Sequence, residues 1–149
     1  MKKILLIATV ALIIISCSKK NTPTPPVDLK VAIVGTWTAK ADTEVITKDG
    51  VYWQTFPVTG YISLAFKSDG TGTKLWSDGP RTFKYTIAND IITFKFDEID
   101  FSDGSVAPAF TETLQVKTIT DNRLVMIYQD DITQDGSLYH TTETQQFIK

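Results

Sequence analysis

One cysteine and one histidine in 149 residues exclude most of the side-chain chemistry open to a small protein. With Cys17 alone there is no disulfide framework and no thiolate metal cluster. His140 is the sole imidazole, and no strained G-x-S-x-G elbow presents Ser105 or Ser137 to it as a nucleophile. A lone histidine on a Thr-rich segment reads as a surface residue, and no enzymatic site is expected. Asp97, Glu98, Asp100 and Asp103 before Gly104 lack the spacing of a calcium loop, as do Asp130, Asp131 and Asp135 before Gly136. No turn carboxylate pair is singled out by an apolar setting for glycoside hydrolysis. Neither a metal nor a cofactor is expected. No block of basic residues follows Lys20, which argues against nucleic-acid binding, where phosphate neutralisation supplies the affinity.

What is present begins with a targeting signal. Met1, Lys2 and Lys3 form a short basic region, and Ile4 to Ile15 is apolar except for Thr9. Such a run covers about 18 Å as a helix, well short of the roughly 30 Å hydrocarbon core, so it reads as a cleaved signal peptide. It ends at Ser16-Cys17. Residues 1–16 are the expected signal peptide and 17–28 the tether. The stretch from Ser18 to Asp28 holds three prolines, two lysines and no aromatic, the composition of a semi-extended linker.

Residues 29–149 have a different texture. Leu29 to Val34 suits a short helical turn capped by Asp28. Turn residues then recur at Lys48-Asp49-Gly50, Ser68-Asp69-Gly70, Ser77-Asp78-Gly79, Asn89-Asp90, Ser102-Asp103-Gly104, Asp121-Asn122 and Gln134-Asp135-Gly136, leaving no room for a long helix. Between them apolar residues alternate: Ile62, Leu64, Phe66; Phe83, Tyr85, Ile87; Ile92, Phe94, Phe96; Leu114, Val116; Leu124, Met126, Tyr128. Period-two patterning predicts antiparallel strands near 36–41, 43–47, 51–56, 59–67, 71–76, 81–88, 91–98, 110–119, 123–130 and 138–148. The fold class expected is all-β: about 8–10 strands in meander order, which form a closed barrel or a tight sandwich because open edges invite aggregation. The last strand, rich in Thr and Gln, has a register that patterning does not settle.

Two resemblances add to this reading. Ile14-Ile15-Ser16-Cys17 resembles a bacterial lipobox, with Ile14 where Leu is usual. It implies diacylation of Cys17, a lipid anchor carrying fatty acyl chains such as palmitate, and a mature chain of 133 residues with a formal net charge of −4. Several acyl chains together anchor stably. Ser18 resembles residues that permit transfer to the outer membrane, and Lys19-Lys20 differs from the acidic run of surface-exported lipoproteins. The implied location is the periplasmic face of the outer membrane. Ile33-Val34-Gly35-Thr36-Trp37 resembles the G-x-W opening of lipocalin barrels. With Phe66 to Thr73 and Phe83 to Ile87, the layout of residues 29–149 resembles the lipocalin-like (calycin-type) lipoprotein domains of Bacteroidota. That resemblance implies a structural role for Gly35 and Trp37, the indole packing under the helical turn. In lipocalins an arginine from a late strand stacks across this tryptophan; Arg123 is the only late arginine here and lies beside a turn.

Aromatic residues carry the remaining functional expectation. Tyr52, Trp53 and Phe56 crowd one short strand, Trp76 ends another, and Phe101 lies in the long connection from Asp97 to Ala109. Tyr52, Trp53, Trp76 and Phe101 are the candidate ligand-binding residues, suited to an apolar ligand or a sugar face, with core packing as the competing account. The leading expectation is a membrane-anchored module holding a small hydrophobic or amphipathic molecule in the barrel mouth. The alternative is a barrel filled by Phe66, Phe83, Phe94 and Phe96, acting through its surface on a protein or glycan.

Overall fold

The computed structural model describes residues 27–100, 104 and 106–149. The signal peptide, Cys17, the tether up to residue 26 and Phe101 lie outside the described residues.

Asp28 caps a single helical turn, α1 (Leu29–Ala32), its side chain accepting from the Lys30 N–H at 3.0 Å. Among the described residues eleven strands follow: β1 (Gly35–Lys48), β2 (Val51–Pro57), β3 (Tyr61–Phe66), β4 (Thr71–Trp76), β5 (Gly79–Ala88), β6 (Ile91–Phe96), β7 (Ile99–Asp100), β8 (Val106–Ala107), β9 (Phe110–Ile119), β10 (Arg123–Gln134) and β11 (Ser137–Ile148). Asp49, Asn89 and Asp135 adopt φ of 51°, 56° and 51° at the tips of two-residue hairpins. These are the residue types that tolerate the left-handed region in tight hairpin turns.

Eight strands close into an antiparallel barrel. The order is β1-β3-β4-β5-β6-β9-β10-β11, and β11 returns to β1. β11 is paired along its length on both sides, with Gln134↔Ser137 to Arg123↔Ile148 on β10 and Lys48↔Tyr139 to Thr38↔Ile148 on β1. The all-β meander read from the alternation is therefore the fold, closed as the barrel that the lipocalin-like resemblance implies.

Three departures matter for function. The two strands expected at 36–41 and 43–47 are one continuous strand with a bulge between Ala39 and Ala41. Patterning broke there because the extra residue shifts the inward phase. Ile62, expected to lie inward with Leu64 and Phe66, is exposed, because a second irregularity between Tyr61 and Ser63 turns Tyr61 inward instead. The connection 97–109 is not purely loop: β7 and β8 pair within it.

The half of the barrel nearest α1 is filled by side chains. Trp37, Leu64, Phe66, Phe83, Phe94, Phe96, Leu114, Leu124, Met126 and Phe147 are all buried. Phe83 meets Phe94 at 5.0 Å and Phe66 at 5.6 Å between ring centroids, both edge to face. Gly72 is required here, since a Cβ would collide with the Phe83 ring and the Ala65 carbonyl. Each such ring contributes about 1.5–3 kcal/mol by leaving water.

The far half is different. β10 continues to Gln134 beyond its last β9 partner at Ile127↔Gln115, and β1 changes partner from β3, through Thr38↔Ser63, to β2, from Thr43↔Pro57. β2, the distal half of β1, β11 and the end of β10 thus form a four-stranded arm continuing the barrel wall. Asp49 ties its two hairpin tips together, donating its N–H to the Leu138 carbonyl at 2.8 Å and accepting the Leu138 N–H on Oδ1 at 2.9 Å.

Candidate binding site

At the base, Gly35 opens β1 at φ 129° and Trp37 is fully buried, its indole N–H donating to the Ile33 carbonyl at 2.7 Å. That bond joins the helical turn to the first strand. The cation over this indole is not Arg123 but Lys149, whose Nζ lies 4.8 Å from the ring centroid and donates to the Val34 carbonyl at 2.8 Å. Arg123 instead reaches Gln146 at 3.5 Å.

The polar site lies at the opposite end, inside the wall, where strand phase brings side chains together from five strands. Past the bulge on β1, Asp42 points inward, and Tyr61 on β3 donates its hydroxyl to Asp42 Oδ2 at 2.5 Å. Lys74 and Trp76 share the inward phase of Gly72 on β4, and Glu112 shares that of Leu114 and Val116 on β9. Lys74 is only 3% exposed and donates to Glu112 at 3.3 Å. Its Nζ sits 4.8 Å from the Tyr61 ring centroid and 4.5 Å from that of Trp76. From β11, Glu143 hydrogen-bonds the Asp42 carboxyl and accepts from Gln145 Nε2 at 2.7 Å.

Burial and mutual repulsion shape the protonation of this cluster. Burial, then the neighbouring Asp42, pushes Glu143 up to about 7. Burial raises Asp42 as well, against hydrogen bonds from Glu143 and Tyr61 that lower it. The Tyr61 phenol is raised by burial and by the Asp42 carboxylate it faces. Two hydrogen-bonded carboxyls hold one proton between them, the arrangement in which one member stays protonated near neutrality.

Apart from the proton that Asp42 and Glu143 share, Asp42 Oδ1, Trp76 Nε1 and Gln145 Oε1 are buried and make no hydrogen bond within the protein. Buried polar atoms nearly always find partners, and leaving one unpaired costs about 1–3 kcal/mol. All three belong to this one network. A cleft of about 210 Å³ reaches it from the side, lined by Ala39 to Asp42 and by Val58 to Tyr61, where β1 has left β3.

The residues expected at the ligand are dispersed. Trp76 is in the polar network, edge-on to Tyr61 at 5.8 Å. Trp53 lies at the same end of the barrel but on the arm, half exposed at 51% and edge-on to Tyr139 at 5.2 Å. Tyr52 is exposed beside it, across from Thr47. His140 is on the outer side of the arm and meets Asp131 at 2.6 Å. Asp42, Tyr61, Lys74, Glu112, Glu143 and Gln145 were not anticipated. For Lys74 and Glu112 the signal was a charged residue in phase with inward neighbours. For Asp42 and Tyr61 the bulges concealed it. Among the described residues no group of His, Asp and Glu has metal-binding geometry, and no helix is long and apolar enough to cross a membrane.

A closed eight-stranded up-and-down barrel, opened by a helical turn that rests on a buried G-x-W tryptophan, defines a calycin-type β-barrel protein. The model of the lipocalin-like domain family matches residues 33–126, and the chain belongs to that family. Among solved structures it is similar to an uncharacterized protein from Bacteroides eggerthii DSM 20697, at 13% identity over 73% of this chain and 97% of that one, with a TM-score of 0.36. No curated protein matches it.

Proposed function

We propose that this chain is a lipid-anchored binding protein of the cell envelope that holds a small amphipathic molecule at the end of its barrel opposite α1. The observation that carries the reading is the set of three unpartnered buried polar atoms, Asp42 Oδ1, Trp76 Nε1 and Gln145 Oε1, together with a cleft whose lining includes Asp42 and its partner Tyr61. A protein that leaves such atoms unpaired supports a ligand that completes them. The ligand's polar group meets this network, and its apolar part lies against Tyr61 and Trp76. The filled half near α1 limits the ligand to the far end. Anchoring rests on the lipobox: Cys17 carries acyl chains in the outer membrane, facing the periplasm, and the tether spaces the barrel from the bilayer. The role is binding rather than catalysis, since the site has acids and a paired lysine but no positioned nucleophile.

A second reading is favoured by a separate observation. Val51, Tyr52, Trp53 and Phe56 on β2, with Ile132 and Leu138 on the arm, are exposed. A filled barrel using this patch on a protein or glycan would need no internal ligand.

Native mass spectrometry of the domain, residues 27–149, purified from the source envelope separates the two. Under the first reading a small molecule co-purifies and is lost in Trp76→Ala. A clean apo mass with no uptake of amphipathic probes overturns it and leaves the surface reading.

A further inference from the structure

We infer that the cleft between β1 and the β2–β3 turn admits a small organic ammonium ion, which binds between Asp42 and Glu143 against the rings of Tyr61 and Trp76. This rests on the binding reading above and names the chemical class of the ligand.

The gap is a product of topology. β1 pairs with β3 only through Thr38 and with β2 only from Thr43, so Ala39 to Asp42 has no strand partner on that side. Val58 donates to the Asp42 carbonyl at 3.2 Å and closes the gap at its distal end, leaving the 210 Å³ cleft with Asp42 and Tyr61 in its lining. That space suits a single small ring with a short side chain.

Unmet demand at the site is mostly for donors. Once Asp42 and Glu143 are both ionised, Asp42 Oδ1 and Gln145 Oε1 are acceptors without a donor, and Trp76 Nε1 is the one unpartnered donor of the three. An ammonium group brings three N–H donors to such a place, and a hydroxyl only one. Charge points the same way. The titratable and charged groups at the site are Asp42 and Glu44 on β1, Tyr61 on β3, Lys74 on β4, Glu112 on β9, Tyr128 on β10 and Glu143 on β11, which pairs with Glu44 across the strands, with Lys40 of β1 in the cleft lining and Arg81 of β5 over the Trp76 ring at 5.1 Å. Lys74 is committed to Glu112 and Arg81 to Asp78 at 2.8 Å. Lys74 favours the ionised forms of both Asp42 and Glu143 from a distance, but it bonds Glu112, and among the described residues no cation is hydrogen-bonded to either of the two acids. An ammonium ion replaces the proton they share, and both carboxylates become ionised around it. A carboxylate or phosphate headgroup would instead meet two acids. Lys74 already sits over both rings and Arg81 over that of Trp76, so Tyr61 and Trp76 offer the ligand's apolar part contact rather than a further cation–π face.

The test is isothermal titration of the full chain in a non-ionic detergent with phenethylamine, neutral phenethyl alcohol and decanoate, from about pH 6 to about pH 8, in two buffers of different ionisation heat. The amine stays protonated throughout this range. Expected is one-to-one binding of the amine with proton release, its affinity rising with pH by up to about tenfold per unit below the Glu143 titration and levelling above it. Glu143→Gln should abolish the proton release and flatten the pH profile, and Asp42→Asn should weaken binding at least about tenfold, the scale of losing one charge-assisted hydrogen bond. If Asp42→Asn does not fold, the wild-type pH profile and Glu143→Gln decide the matter. Alcohol or decanoate binding as tightly as the amine overturns the ammonium assignment while leaving a binding protein. An amine affinity indifferent to pH and to Glu143→Gln also overturns it. Failure of all three probes removes the ammonium site, and a ligand found by native mass spectrometry would then still sustain the broader reading.

Discussion

Trp37 and Glu143 stand at opposite ends of the same barrel and stabilise or destabilise it for opposite reasons. Trp37 is fully buried with its single polar atom satisfied by Ile33. Trp37→Phe removes that donor, strands a buried carbonyl and leaves a void, so urea denaturation should show a loss of about 2–4 kcal/mol. Glu143 is half-buried and faces a second acid, Asp42. Its folded value, near 7, lies above the ordinary 4.5, so between those values the native state holds more protons than the unfolded chain. Stability is therefore full at low pH within this window, falls as pH rises through about 4.5 to 7, and levels off above. Asp42, also raised, acts in the same direction. The urea midpoint should be higher near pH 5 than near pH 8, and Glu143→Gln should remove most of that difference. A midpoint that rises with pH would contradict the buried carboxyl pair.

At the scale of the strand, one inserted residue decides which side chains meet. The bulge at Lys40 puts Asp42 inside, and the irregularity at Ile62 puts Tyr61 there. The two then bond although neither continues the simple alternation of its strand. Alternation alone read a break near Asp42 and placed Ile62 inward, because a period of two has no term for an extra residue. Lys74 and Glu112 were more legible, since each keeps phase with buried neighbours; composition hid them, as charged residues are expected outside. The C-terminal end of β11 offers a separate test. Lys149→Ala loses the cation over Trp37 and the bond to Val34, and should lower stability by about 1 kcal/mol in urea titrations. On the arm, Trp53→Ala should change stability by no more than about 1 kcal/mol, because the ring is half exposed and its one aromatic partner is Tyr139.

For the whole molecule, closure is the decisive event. The match to the family ends at residue 126, inside β10, whereas the barrel closes only when β11 pairs with β1. A fragment of residues 33–126 lacks Phe147 and Gln145 and exposes two long edges. It should show no cooperative unfolding and should bind hydrophobic dyes. The proposed anchor is tested at the same scale: radiolabelled palmitate should mark the wild-type chain in cells and not Cys17→Ser, which should also leave the membrane fraction.

Residues near one another in the chain determined the strands, the hairpins and the fold class. Hairpin turns depend on Asp, Asn and Gly at positive φ, and strands on alternation, both of which are local properties. Gly35 and Trp37 belong with them, their role legible from a short motif beside the helical turn. Tertiary structure alone decided the site. Lys74 meets Glu112 from 38 positions away, and Glu143 meets Asp42 only because the last strand returns to the first. Which polar groups end up buried, paired or left without a partner depends on bulge position and barrel closure, and neither is encoded in the pattern of any single strand.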